Sequence, residues 1–142
     1  MILSAKEISR RMKRDNDLVI APYSEGCQQP ASYDLRVGED VVLQKGRCTL
    51  VHSLEHVEMP RDIAATLRCR SSFARRGVLI GGGFVDPGFR GQLTLCLVNM
   101  GEGDIALKVG DRVVQMVLHE VLSGEDLYAG RYQDSVGVVQ AR

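Results

Sequence analysis

Arg70-Ser71-Ser72-Phe73-Ala74-Arg75-Arg76-Gly77, then Val78-Leu79-Ile80, then Gly81-Gly82-Gly83-Phe84-Val85-Asp86-Pro87-Gly88-Phe89-Arg90-Gly91, is the stretch on which the fold turns. Three glycines in a row invite a dinucleotide-binding reading. That reading needs Gly-x-Gly-x-x-Gly opening a helix, and this run has neither the spacing nor the helix. No alternation of strand and helix flanks it, which argues against a doubly wound α/β sheet. Short apolar runs surround it instead: Tyr33–Val37, Val41–Leu43, Cys48–Leu54, Ile63–Cys69, Val78–Ile80, Gln92–Val98, Ile105–Leu107 and Arg112–Leu118. Turn residues separate them: Gly38, Lys45-Gly46, Met59-Pro60, Gly101-Glu102-Gly103 and Val109-Gly110-Asp111. Many short strands at near-even spacing predict a mostly β fold, a distorted β-barrel or double-sheet jelly roll.

Upstream, Ser4-Ala5-Lys6-Glu7 has the form of a capping box, with Ile8 and Met12 on one face. This predicts a short N-terminal helix ending near the charged run Arg10 to Asp17, which reads as a solvated helix face. Leu18-Val19-Ile20 is a short strand stopped by Pro22, and Gly26 to Pro30 is expected to be loop. Residues 124–142 read either as a poorly ordered terminus or as a flexible flap on a single domain spanning 1–142.

The opening stretch also carries chemistry. Arg70, Ser71, Ser72 and Arg75 make a cationic, hydroxyl-rich turn able to donate to phosphate oxygens. A short hairpin is expected to separate that turn from one carboxylate, Asp86, buried among glycines whose amides can reach a ligand. Such a carboxylate can orient a water. Asp86 before Pro-Gly equally fits a turn cap.

Composition narrows the function classes. The 18 basic and 18 acidic side chains cancel, so the basic excess usual in a nucleic-acid binder is missing. Apolar runs are too short to span a bilayer, and Met1 to Glu7 lacks signal-peptide order, so a cytoplasmic protein is expected. Cys27, Cys48, Cys69 and Cys96 form no Cys-x-x-Cys pair and are read as reduced and structural. His52 and His56 do not complete a zinc spacing and read as surface loop residues.

Four segments in order resemble the motifs of the dUTPase and dCTP deaminase superfamily. They are Pro30-Ala31-Ser32-Tyr33-Asp34-Leu35, Arg70-Ser71-Ser72-Phe73-Ala74-Arg75, Gly83-Phe84-Val85-Asp86-Pro87-Gly88-Phe89-Arg90-Gly91 and Gly110-Asp111-Arg112-Val113-Val114-Gln115. Met1 to Ile8 and Tyr128-Ala129-Gly130-Arg131-Tyr132-Gln133 with Gly137-Val138 resemble the deaminase branch. The glutamate that serves as general acid/base in those zinc-free deaminases falls in Thr94-Leu95-Cys96-Leu97, where this chain has Cys96. A thiol does not replace a carboxylate in proton relay, so deamination is not expected. Gly81 to Asp86 resembles instead the hairpin with which trimeric dUTPases read uracil.

That resemblance implies the dUTPase-like β-clip fold, a homotrimer, and dUTP as substrate with Mg²⁺ on its triphosphate. It implies Asp86 as the catalytic water-orienting carboxylate. Arg70, Ser71, Ser72, Arg75 and Arg131 would bind phosphate, and Gln115 would contact phosphate or a neighbouring subunit. Gly83 and Phe84 would meet the base, and Phe89 the deoxyribose. Tyr128 would close the substrate site from the tail, and Asp34 would reach Mg²⁺ through water. Cys96 is expected to be packed interior. The alternatives are a dCTP deaminase, a bifunctional deaminase–diphosphatase, or a non-catalytic nucleotide-binding regulator on the same fold.

Overall fold

The computed structural model describes all 142 residues. Its helix starts where the capping box places it: Ser4 Oγ accepts from the Glu7 amide at 3.3 Å, and α1 runs Ala5–Arg10. A single wider turn, Arg11–Asp15, continues it until Asn16 takes a left-handed conformation. Ahead of the helix, Met1 to Leu3 lie along the last strand, with the Leu3 amide on the Leu118 carbonyl at 2.9 Å.

Eleven strands follow: β1 Val19–Ala21, β2 Gln28–Gln29, β3 Ser32–Arg36, β4 Val41–Leu43, β5 Cys48–Glu58, β6 Ile63–Cys69, β7 Val78–Gly81, β8 Phe84–Val85, β9 Arg90–Asn99, β10 Ile105–Leu107 and β11 Arg112–Glu120. A one-turn helix, α2 Ser71–Ala74, sits between β6 and β7. One sheet has the order β1-β5-β9-β7, a second β2-β3-β11-β6-β8, and β4 pairs with β10. The sheets are distorted and do not close into a barrel, and the mostly β reading with a short N-terminal helix holds.

Burial explains the two sheets. Strands β5 and β9 alternate strictly, with Val51, Val57, Leu93, Leu95 and Leu97 inward. Period-two burial is what a sheet with one core-facing side requires. Strand β11 lies inside its sheet between β3 and β6, and Val113, Val114, Met116, Val117 and Leu118 on its two faces are all buried. Asn99, fully buried, ties β9 to its surroundings: its amide nitrogen donates to the Leu43 and Gly103 carbonyls at 2.8 Å, and its oxygen accepts from the Gly101 amide.

Several expectations need correction. The charged run is not simply a solvated face. Arg11 is buried and bonds Asp17 at 2.7 Å and Asp62 at 2.6 Å, locking the helix to the start of β6. A long amphipathic side chain can bury its stem while its head is held by carboxylates, and charge counting cannot see this. Gly26 to Pro30 is not all loop, because β2 pairs with β3 there. Strand β5 runs four residues past Leu54, so His52 and His56 are half-buried strand residues, not loop residues.

The expected hairpin around the glycines is also absent. Strand β7 pairs with β9, and β8 pairs with β6 in the other sheet. Gly82 and Gly83, with φ of +72° and +105°, turn the chain from one sheet into the other. Both conformations are ones that only glycine adopts freely.

Candidate active site

The crossing from β7 to β8 makes one wall of a cavity of about 400 Å³. Gly83 is required there. Its carbonyl accepts from the Leu67 amide at 2.8 Å, and an added Cβ would meet Leu67 Cβ at 3.0 Å. The opposite wall is one face of β9, where Gln92, Thr94 and Cys96 project at every second position. Leu50 of β5, paired in register with Cys96, also lines it. The C-terminal segment contributes Tyr128, Tyr132, Ser135, Val139 and Ala141.

Asp86 supplies the sole carboxylate of this pocket, and no Arg or Lys lines it. Contrary to expectation, Asp86 is exposed rather than buried. Its main-chain oxygen closes the turn by accepting from the Phe89 amide at 3.2 Å, so the carboxylate is not used as the cap. Phe84 is mostly exposed at the rim, and Phe89 is buried. The Phe89 ring meets Tyr128 edge-on at 5.6 Å between centroids, a geometry favoured by the ring quadrupoles. Cys96 is not packed interior as expected; its half-buried side chain faces the pocket, and desolvation pushes the thiol pKa up.

A second cluster lies where β3, β6 and β11 pair. Asp34 is buried, and its Oδ2 faces Arg70 Nε at 3.0 Å and Arg112 Nη1 at 3.6 Å. Desolvation pushes the Asp34 carboxyl pKa up, against the pull of those two guanidiniums. Arg70 also donates to the Arg112 carbonyl at 3.2 Å, and Gln115 donates to Ser32 Oγ at 2.9 Å. Just beyond Arg70, Ser71, Ser72 and Arg75 stand exposed on α2 and its end.

The sequence-derived residues therefore fall into separate groups within one chain. Asp86, Gly83, Phe84, Phe89 and Tyr128 share the pocket; Arg70, Asp34 and Gln115 belong to the cationic cluster, beside Ser71, Ser72 and Arg75. Arg131 joins neither, and exchanges hydrogen bonds with Arg142. Sequence reasoning missed Arg112, although it lies inside the fourth motif. It also missed Gln92 and Thr94, which their period-two spacing from Cys96 could have revealed. No three His, Cys, Asp or Glu side chains converge as a metal site.

The chain that forms this pocket matches known proteins over most of its length. Residues 38–121 match the family model for dCTP deaminase-like proteins. A dCTP deaminase of Pyrococcus horikoshii is 37% identical over 139 residues, covering 87% of this chain and 89% of its own. A probable deoxyuridine 5'-triphosphate nucleotidohydrolase of Sulfolobus islandicus rod-shaped virus 1 is 33% identical over 158 aligned positions, covering 100% and 99%. Among solved structures, the 2'-deoxycytidine 5'-triphosphate deaminase from Agrobacterium tumefaciens superposes with a TM-score of 0.71 at 21% identity. That match covers 84% of this chain and 47% of the deaminase, so the chain spans about half its length. The EIAV dUTPase superposes with a TM-score of 0.62 at 22% identity, covering 80% and 92%. These two likenesses establish the fold, and the sequence relatives establish the family. The chain is a member of the dCTP deaminase-like family, within the dUTPase and dCTP deaminase superfamily.

Proposed function

We propose that the chain is a dUTP diphosphatase, converting dUTP and water to dUMP and diphosphate. The observation that carries this is the pocket's acid–base inventory: one exposed carboxylate, Asp86, and a thiol, Cys96, at the strand position where the deaminase motif has glutamate. Asp86 is free to hold a water. In-line attack of that water on the α-phosphorus forms the new P–O bond and breaks the bond to the bridging oxygen. Diphosphate takes that electron pair, and Asp86 accepts the proton. Attack on C4 of cytosine would also need a group to protonate the ring nitrogen and the leaving amine. A thiol with a raised pKa is a poor fit for that work.

The triphosphate needs cations, and the pocket has none. Arg70, Arg75 and Arg112 supply them, with Ser71 and Ser72 as hydroxyl donors beside them, but at a separate cluster of the same chain. A homotrimer in which one subunit's cluster faces another's pocket resolves this, and Gln115 would help fix such a contact. Mg²⁺ binds through substrate phosphates and few carboxylates, and so needs no protein cage. Asp34, the buried carboxylate of that cluster, would reach the metal through water. When bound, Mg²⁺ would offset phosphate charge.

The test is incubation with dUTP and dCTP separately, with Mg²⁺, and chromatography of the products. dUMP and diphosphate from dUTP alone is the expected result. The dCTP deaminases among the relatives favour a second reading, dCTP deamination. Uracil nucleotide from dCTP would establish that reading and overturn the role given to Cys96. Binding without turnover of either would identify a regulator.

A further inference from the structure

We propose that Gln92 and Thr94 are positioning residues that clasp residues 137–139 over the pocket and so set nucleotide affinity; this rests on the pocket being the nucleotide site. Both project from the pocket face of β9, and each turns its side-chain oxygen toward the tail. Gln92 Oε1 accepts from the Gly137 amide at 2.7 Å, and Thr94 Oγ1 accepts from the Val139 amide at 3.0 Å. Two successive side chains on one strand face thus grip alternate amides of the tail. The grip places Val139 and Ala141 in the pocket wall.

The orientation of Gln92 is fixed from behind. Between His52↔Thr94 and His56↔Gln92, four residue steps on β5 face two on β9. This bulge releases carbonyls from the ladder. The Gln92 amide nitrogen takes up one of them, Ser53 O, at 3.2 Å. An amide donating backward to a carbonyl must present its oxygen forward. The bulge itself is held from inside: Ser53 Oγ accepts from the Leu93 amide at 2.9 Å and donates to the Glu55 carbonyl at 2.7 Å, and the Glu55 carboxylate accepts from the Arg36 amide at 2.8 Å. The buried side chains of the bulge therefore aim a residue that reaches the tail.

The nearer anchors of the tail differ in kind. There the tail pairs main chain to main chain with β9, Asp134 N on Arg90 O at 2.9 Å and Gln92 N on Ser135 O at 2.8 Å, and the Arg90–Asp134 ion pair beside them is exposed at both ends and adds little. The clasp lies further along and is half-buried.

The test uses the full chain in three variants: Gln92→Met, Thr94→Val and Thr94→Ser. Amide hydrogen exchange read by NMR should speed roughly fivefold at Gly137 in Gln92→Met and at Val139 in Thr94→Val, the ratio for one net hydrogen bond. KM for dUTP should rise by a similar factor in both, with kcat held. Thr94→Ser keeps the acceptor and should restore both readouts. Unchanged exchange overturns the clasp, and faster exchange with unchanged KM overturns its role in affinity. The exchange arm needs no turnover, so a chain that hydrolyses no dUTP would refute the proposed activity without touching the clasp.

Discussion

Asp86→Asn should separate chemistry from folding more cleanly than any other substitution in this chain. The Asp86 carboxylate is exposed and makes no ion pair or side-chain hydrogen bond, while the turn it starts is closed by its main-chain oxygen. Asparagine keeps the shape, tolerates the same turn and leaves Phe89 and Tyr128 in place. Surface changes of this kind move stability by no more than about 0.5 kcal/mol. Loss of a positioned general base costs roughly 10²–10⁴ in rate, which is about 3–5 kcal/mol of barrier. The two effects should therefore differ roughly tenfold in energy. The assay is steady-state dUTP hydrolysis beside thermal melting and nucleotide titration of the same sample. The expected outcome is kcat down by roughly 10³, with Tm and nucleotide affinity held. Near-wild-type kcat would remove Asp86 from the chemistry. A large drop in Tm would show instead that the carboxylate is structural.

Other substitutions probe the scaffold. Arg11→Ala deletes a buried guanidinium whose partners Asp17 and Asp62 are about two-fifths exposed, so part of each charged pair is screened by water. About 2 kcal/mol should be lost, seen in urea unfolding, and a loss below about 0.5 kcal/mol would return Arg11 to the surface. Gly88→Ala puts a Cβ at a φ of +82°, 2.8 Å from Leu127 Cβ. It should cost about 1–2 kcal/mol and free Tyr128 from Phe89, seen as faster proteolysis of the tail, whereas unaltered proteolysis would mean the turn does not hold it. The Glu55 carboxyl is pushed above its ordinary 4.5 by burial, with Arg36 opposing. For an acid raised in the folded state, stability falls as pH rises from the unfolded value through the folded one. The stability gap of Glu55→Gln over wild type should therefore widen as pH rises above 4.5, and a pH-independent gap would refute the burial argument.

Most strands could be read from local pattern because each needs only its own alternation and its own turn. Val41–Leu43, Ile63–Cys69 and Ile105–Leu107 begin and end where the apolar runs do. The helix start was equally local, a Ser4 hydroxyl reaching an amide three residues on. The family was legible for a similar reason. Its motifs are short contiguous strings, so their residue types and order can be matched without knowing the fold.

Pairing partners are not local, and there the sequence fell silent. Whether β8 pairs with β7 or with β6 depends on where Leu67 presents its amide, some seventeen residues away. Arg11 is buried because Asp62, distant in sequence, comes within 2.6 Å of it. Cys96 faces a pocket rather than the core because the crossing from β7 to β8 and the tail enclose that side of β9. The same packing keeps the cationic residues apart from Asp86 within one chain. The sequence by itself determined a β scaffold, its family and which residue types can do the chemistry, since those are set by spacing and side-chain chemistry along the chain. Only the tertiary structure decided which of them meet, because contact depends on long-range pairing and burial that no local window contains.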